Sequence, residues 1–341
     1  MWQPAIAFRT EGGVTGGLGH VRRSVTLAHE LRKQGIKVYF VVNHDRAVLD
    51  ILLGHNFEAA EVGEDDERNL EETLAKIDQW GVNGLMIDSY RIRDVSPVRG
   101  HIAFTGVIDD LADRLLPVDL VINGAANAGE LSYRTSSRTK LLLGPEYALL
   151  REEFSREPDR QIRAQVGQML IMMGGADPCA LTPRLMTWTR EAMGEAAMDV
   201  VVGPFFTEDA VRQIEQRAGS DHSIILHQDP KNLRDLMLRC DVAIAGGGQT
   251  TYELAATGTP AAAIKLADNQ SGNLRGLSAK NTLEWVGDVQ DDDLEGRVIR
   301  TLRNLAEHAD KRAKMSQAGR ALVDGRGAAR VAQAVLEACA R

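Results

Sequence analysis

At 341 residues, with 44% hydrophobic and 26% charged side chains, the chain has an ordinary globular composition and enough length for two domains. Its formal net charge of -8 argues against a nucleic-acid or anionic-membrane surface, and no apolar run nears the roughly 20 residues of a membrane helix. Three cysteines, Cys179, Cys240 and Cys339, form no Cys-x-x-Cys pair, which argues against a disulfide scaffold and for a reducing compartment.

The stretch Met1–Arg9 lacks the basic start and long apolar core of a signal peptide, so a cytoplasmic location is expected. The histidines are scattered, with no His-x-His or His-Glu-x-x-His, so no metal site is expected.

In chain order, Pro4–Phe8 reads as a short buried strand and Val21–Gln34 as an amphipathic helix ended by Gly35. Between them lies Gly12-Gly13-Val14-Thr15-Gly16-Gly17-Leu18-Gly19-His20. A glycine turn running into a helix N-terminus leaves backbone N–H groups for an anionic or polar ligand. His20 is the titratable group beside that cup. The glycine spacing fits neither a P-loop nor a dinucleotide fingerprint, and a flexible turn carrying a surface histidine is the plainer alternative.

Lys37–Val42 then reads as a strand, Arg46–Leu53 as a helix and Glu64–Gln79 as an acidic amphipathic helix with a solvated charged face. Gly84–Asp88, His101–Ile108 and Val118–Ile122 follow as strands. This alternation predicts a parallel sheet covered by helices, whose ligands bind at the carboxyl ends of the strands. Three polar clusters fall there: the glycine turn with His20, Asp88-Ser89-Tyr90, and Asp109-Asp110; Asn123 and Asn127 end a fourth strand. Either aspartate after the third strand also suits a helix cap.

A polar segment through Arg163 separates this half from Gln168–Met173, where the pattern restarts and ends in Gly174-Gly175-Ala176-Asp177-Pro178. Met198–Val202, Ser223–Leu226, Asp241–Ala245 and Ala261–Ile264 are the further predicted strands. After Ala245, Gly246-Gly247-Gly248 allow close backbone approach, and Gln249-Thr250-Thr251 open a helix carrying Glu253. This is a second anion-binding turn, with threonine hydroxyls as extra donors. Glu253 suits a ribose diol, or simply complements the helix dipole. The last helix, Gly325–Ala340, presents Ala329, Val331, Ala332, Val335 and Leu336 as its apolar face.

The expected architecture is therefore α/β: two Rossmann-like parallel-sheet domains, residues 1–155 and 156–341, with a ligand cleft between them and helix 325–340 packing back toward the first domain.

Several motifs, taken in order, resemble one family. They are Gly17-Leu18-Gly19-His20-Val21-x-Arg23, Asp88-x-Tyr90, Val107-Ile108-Asp109-Asp110-Leu111 and Leu143-Gly144-Pro145-x-Tyr147-Ala148-Leu149-Leu150-Arg151-x-Glu153-Phe154. The second half adds Gly174-Gly175-x-Asp177-Pro178, the Gly246–Glu253 turn and Ala267-Asp268-Asn269-Gln270. The chain resembles the bacterial UDP-sugar hydrolases of the PseG type and their SpsG relatives, which share the two-domain glycosyltransferase-B fold with MurG.

The resemblance implies a UDP-linked deoxy-acetamido sugar as substrate, no cofactor, and a product for nonulosonic (pseudaminic-type) acid or surface-polysaccharide synthesis. It makes His20 the base and places Tyr90 and Asn269 at the sugar, with Asp88 or Tyr90 fixing the histidine or a sugar hydroxyl. Gly17, Gly19, Arg23, Asp109, Gly175, Asp177 and Gln270 are implied substrate contacts. The diphosphate is implied over Gly247, Gly248, Gln249, Thr250 and Thr251, with the ribose near Glu253. Where the family has Arg-x-Asp and a shorter run before Gly-x-Gly-His, this chain has Arg9-Thr10-Glu11 and extra glycines at Gly12, Gly13 and Gly16; the difference bears on which sugar is taken. A MurG-like transferase using a carbohydrate acceptor, and a non-catalytic nucleotide-sugar sensor, are the alternatives. The oligomeric state is not legible.

Overall fold

The computed structural model describes residues 5–13, 17–63 and 69–339. Among these, β1 (Ala5–Thr10), α1 (Gly19–Lys33), β2 (Lys37–Asn43), α2 (Arg46–Gly54), β3 (Glu58–Val62), α3 (Asn69–Trp80) and β4 (Gly84–Asp88) come first. β5 (Phe104–Ile108), β6 (Leu115–Leu116), β7 (Leu120–Asn123), β8 (Arg134–Thr135) and β9 (Lys140–Leu143) follow. The pattern then repeats as β10 (Gln168–Met172), α4 (Thr182–Met193), β11 (Ala197–Val202), α5 (Glu208–Ser220), β12 (Ile224–Gln228), α6 (Leu233–Arg239), β13 (Val242–Gly246) and α7 (Thr250–Ala256). The chain closes with β14 (Ala261–Lys265), α8 (Ser271–Ala279), β15 (Glu284–Asp288), α9 (Leu294–Glu307), α10 (Ala309–Leu322) and α11 (Gly327–Cys339).

The chain divides into two compact units: residues up to Glu152 together with those from Arg326 onward, and Glu153–Gly325. The first holds a sheet in the order β3-β2-β1-β4-β5-β7-β9 and the second a sheet in the order β12-β11-β10-β13-β14-β15. Every strand pairing in both sheets is parallel. In each, the strand order reverses beside the first strand, between β1 and β4 and between β10 and β13. Such a reversal opens a crevice at the carboxyl ends of those two strands, where ligands of open α/β sheets bind.

Both faces of these sheets are covered, so the central strands are apolar throughout rather than alternating; β1 and β4 are buried at every residue. Phe8 stacks on Phe40 at 5.3 Å between centroids and Phe40 meets Phe57 at 5.0 Å, each buried ring contributing about 1.5–3 kcal/mol. α1 buries Val21, Val25, Ala28 and Leu31 on one stripe. It stops where Gly35 adopts φ 82°, with Gly35 N donating to Arg32 O and Ile36 N to Leu31 O, the paired bonds of a Schellman end.

The edges departed from expectation. β3 (EAAEV) and β15 (EWVGD) are edge strands whose alanine, glutamate and glycine carry no strand signal, and they form because a neighbour offers a free ladder. The strand expected from His101 begins at Phe104, since His101–Ala103 lie in the preceding turn. Of the predicted helix Glu64–Gln79, residues 64–68 lie outside the described residues, as do Pro4 of the first predicted strand and Ala340 of the last predicted helix.

α11 belongs to the first unit. Its buried side is Ala328, Val331, Ala332, Ala334 and Val335, whereas Ala329 is exposed and Leu336 half-buried. The stripe is turned relative to the expected face because Gly327 fixes the docking. A Cβ on Gly327 would lie 2.2 Å from the carbonyl oxygen of Ala148, so only glycine allows the helix start to approach that backbone. Within the second unit, the Arg160 guanidinium donates to the carbonyls of Cys240, Met237 and Thr257. It thereby satisfies the C-terminal ends of α6 and α7 with a cation, which suits their dipoles.

A histidine pair on the first unit makes stability pH-dependent. His29 Nε2 lies 3.1 Å from His55 Nδ1, and Arg32 Nη2 lies 3.0 Å from His29 Nδ1. Partial burial, then the neighbouring His55, Arg32 and Lys33, bring the His29 pKa down to about 4. An unfolded histidine titrates near 6.5, so between about pH 6.5 and about 4 the unfolded chain holds a proton that the native state does not. Stability is complete above that window and falls as pH drops through it. The urea midpoint is expected to be lower at pH 5 than at pH 7.5, and His29→Gln to flatten part of that difference.

Candidate active site

After β1, Gly13 N donates to Gly17 O at 3.1 Å and Gly17 N to Gly13 O at 2.8 Å. Val14, Thr15 and Gly16 lie outside the described residues. Asn43, at the end of β2, binds the turn with its side-chain amide, accepting from Gly12 N at 3.0 Å and donating to Gly12 O at 2.9 Å. α1 starts at Gly19, so His20 occupies the second position of the helix, with its side chain 14% exposed.

β4 ends at Asp88, which is completely buried and 2.6 Å from His20 Nδ1 through Oδ1. One helical turn beyond His20, Arg23 engages both oxygens of the same carboxylate, Nε to Oδ2 at 2.7 Å and Nη2 to Oδ1 at 2.5 Å. Ser24 Oγ adds a bond to Oδ2 at 3.2 Å. Burial pushes the Asp88 pKa up, but Arg23 and His20 outweigh it and hold this carboxyl well below the usual carboxylate range.

A permanently ionised carboxylate only accepts hydrogen bonds, so the 2.6 Å contact to Asp88 assigns the proton to His20 Nδ1, over the longer 3.0 Å approach of Arg23 Nη2 to the same atom. The lone pair of the neutral ring is then on Nε2, which has no hydrogen-bond partner among the described residues. Tyr90 stands edge-on to the imidazole at 4.6 Å between centroids and donates its phenol to Asp110 Oδ2 at 2.8 Å. Asp110 also accepts from Arg23 Nη1 at 2.8 Å. Glu11, beyond the end of β1, accepts from Ser89 Oγ at 2.8 Å and Tyr90 N at 3.0 Å. The loop that carries Tyr90 is thus tied down from two sides.

Three expected residues, Arg23, Asp88 and Tyr90, therefore meet around the imidazole of a fourth, His20. Gly17 and Gly19 shape the turn that leads to it. Asp109 turns away: it caps its own turn by accepting from Leu111 N and Ala112 N at 3.1 and 2.7 Å, and its other oxygen is 3.3 Å from the buried Arg114. The carboxylate at this strand end that joins the cluster is Asp110. Sequence reasoning named Asp110 only as half of a strand-end pair and Glu11 only within the departure from the family pattern, giving neither a role, and it did not name Ser24; the signal for the first two was a carboxylate close after a strand.

In the second unit the glycine turn follows β13 at the reversal of strand order. Gly248 precedes α7, whose first residues are Thr250 and Thr251. Thr251 is buried and donates its hydroxyl to Gly248 O at 2.7 Å. It braces the turn, in contrast to the expectation of a donor for ligand. Gln270 accepts from Leu266 N at 2.8 Å through Oε1, which leaves its Nε2 toward Gly248, 3.9 Å from where a Cβ there would stand. Thr250, Gln249 and Glu253 are half-buried and Asn269 is exposed.

Gly175 and Asp177 serve the fold. Asp177 accepts from Leu181 N and Thr182 N at 2.9 and 2.8 Å, capping α4, and Gly175 O accepts from Phe205 N at 2.9 Å. Among the described residues no group of three or more His, Cys, Asp or Glu side chains could hold a metal. No helix among them is long and apolar enough to cross a membrane.

No protein-family model matches the chain. Solved structures of the same fold, with two parallel-sheet domains, include MurG of Acinetobacter baumannii, at a TM-score of 0.66 and 12% identity over 98% of this chain and 100% of that one. The chain has the glycosyltransferase-B fold. A UDP co-structure of Staphylococcus aureus MnaA shares it, at a TM-score of 0.66 and 9% identity over 96% of this chain and 95% of that one. By sequence, the chain is similar to the spore coat polysaccharide biosynthesis protein SpsG of Bacillus subtilis, at 22% identity over 96% of both chains. It is also similar to the uncharacterized protein MJ1062 of Methanocaldococcus jannaschii, at 25% identity over 75% of this chain. The match spans about half, 54%, of that relative's length.

Proposed function

We propose that the protein hydrolyses a UDP-linked deoxy-acetamido sugar at its anomeric carbon, releasing UDP and the free sugar. The observation that carries this reading is the His20–Asp88 pair, which orients one imidazole with its proton on Nδ1 and its lone pair on Nε2. In the reaction, Nε2 takes a proton from water as the oxygen bonds to the anomeric carbon. The bond from that carbon to the β-phosphate oxygen breaks, and UDP departs with the electron pair. Asp88 stabilises the imidazolium formed, as a buried carboxylate does for a catalytic histidine.

The second unit supplies the nucleotide end. Backbone amides of the Gly248–Thr250 turn meet the diphosphate, the Gln270 amide adds a donor, and Glu253 accepts from the ribose. Tyr90 contacts the sugar. The likeness to SpsG supports a place in supplying sugars for surface polysaccharide. The fold shared with MurG equally suits transfer to a carbohydrate acceptor, because fold and donor site are common to both chemistries.

Incubation with a panel of UDP-acetamido sugars, without acceptor, separates the two. Mass spectrometry is expected to find UDP and free sugar in equal amounts for at least one donor. UDP release only after an acceptor is added would establish transfer instead, and tight binding without turnover under either condition would make the protein a sensor.

A further inference from the structure

Arg23 was expected among the substrate contacts, and its geometry says otherwise. Every edge of its guanidinium is occupied by protein. Nε and Nη2 take the two oxygens of Asp88, and Nη1 takes both oxygens of Asp110, at 3.0 and 2.8 Å. Its side chain is only 14% exposed. A planar fork with donors on two sides holds two carboxylates in a fixed bidentate geometry, which the point charge of an ammonium does not impose.

We infer that Arg23 is a positioning residue of the His20 site: it clamps Asp88 and Asp110 so that Asp88 holds the imidazole in one tautomer and Asp110 holds Tyr90 against the ring. The inference rests on His20 being the base. The charges facing the ring are Asp88 at the end of β4, Arg23 on α1, Tyr90 in the loop after β4, Asp110 after β5 and, behind Tyr90, Glu11 after β1. Arg23 Nη2 is 3.0 Å from Nδ1 itself. Its charge therefore opposes an imidazolium while its hydrogen bonds keep Asp88 in place. With Arg23 beside it, the carboxylate fixes the ring's tautomer and orientation while a positive neighbour offsets its charge.

The test is nitrogen-15 NMR of the imidazole in the full chain without substrate, with the His20 signal assigned by its loss in His20→Gln. The parent is expected to show a single tautomer protonated at Nδ1. Arg23→Gln is expected to mix tautomers and raise the ring's titration midpoint by about one pH unit, the scale of a lost neighbouring charge. Arg23→Lys restores the charge without the fork, so the midpoint returns toward the parent while the tautomers stay mixed. In turnover, Arg23→Gln is expected to lower kcat about 10–100-fold and leave KM within about twofold.

A rise in KM with the ring's tautomer and midpoint unmoved would show that Arg23 binds substrate, and the inference would fall. If Arg23→Gln does not fold, Asp110→Asn provides the check. It leaves the Asp88 fork and removes one negative charge, so the midpoint should move down; an unmoved midpoint overturns the clamp. Because the spectroscopy needs no turnover, the expected ring response in a protein that does not hydrolyse UDP-sugar would defeat the hydrolase reading and leave the clamp standing. Turnover with an unresponsive ring would do the reverse.

Discussion

Replacing His20 with Ala or Phe is expected to slow UDP-sugar hydrolysis about 10²–10⁴-fold, the range contributed by a positioned general base. The two variants fail for the same chemical reason and differ in packing. Phenylalanine keeps an aromatic edge near Tyr90, which stands 4.6 Å from the native ring, so it preserves the local fit while removing the lone pair. Alanine leaves a space that admits water next to Asp88. KM is expected to change little in either, because the nucleotide is assigned to the second unit. Steady-state kinetics of UDP release measure the effect, and a parent-like rate in the Phe variant would remove His20 from the mechanism.

Asp88→Asn is expected to be nearly as damaging, about 10²–10⁴-fold in kcat, although the side chain keeps its shape. A carboxylate accepts only, and so dictates which imidazole nitrogen bears the proton; an amide presents a donor as readily and lets the ring turn over into the wrong tautomer. The same change weakens the fold. Asp88 is fully buried and pairs with Arg23 at 2.5 Å, and the cost of losing its charge is expected to stay below the about 3–5 kcal/mol of a stranded buried ion, because Arg23 keeps Asp110 as a partner.

Its pH dependence has a definite sign. The Asp88 pKa is depressed in the native state, so this stabilisation is complete above the unfolded value near 3.9 and disappears as pH falls through the lower native value. Parent and variant stabilities, read by urea unfolding, should differ most at neutral pH and converge in acid. Activity must be compared at a temperature where near-UV circular dichroism shows both proteins folded. A variant that keeps the parent rate there would show that Asp88 does not govern the histidine.

The legible parts of this protein were those decided within a few residues of one another. Gly84–Asp88 and Gln168–Met172 are apolar because both sheet faces are covered, and a run of that kind announces a buried strand without reference to anything else. The helix after the first turn has its stripe, its basic last turn and its glycine stop within one segment. The alternation of such pieces selected two parallel sheets, and the rule that ligands gather at strand ends pointed to His20, Asp88 and Tyr90 before any distance was known.

What lay beyond that reach depended on partners far along the chain. β3 and β15 are strands because a neighbouring edge pairs with them, and Ala329 faces out because Gly327 docks against Ala148. Asp109 and Asp110 are identical in type and adjacent, yet one is spent on its own turn and the other reaches Arg23 and Tyr90. Thr251 bonds Gly248 instead of offering its hydroxyl to a ligand, and Arg23 closes on two carboxylates that lie 65 and 87 positions away. Periodicity reports which face of an element is buried; it carries no information on which of several polar groups a side chain will meet. Hydrogen bonds require atoms within about 3 Å and in line, and only the packed strands and helices set such distances between distant segments.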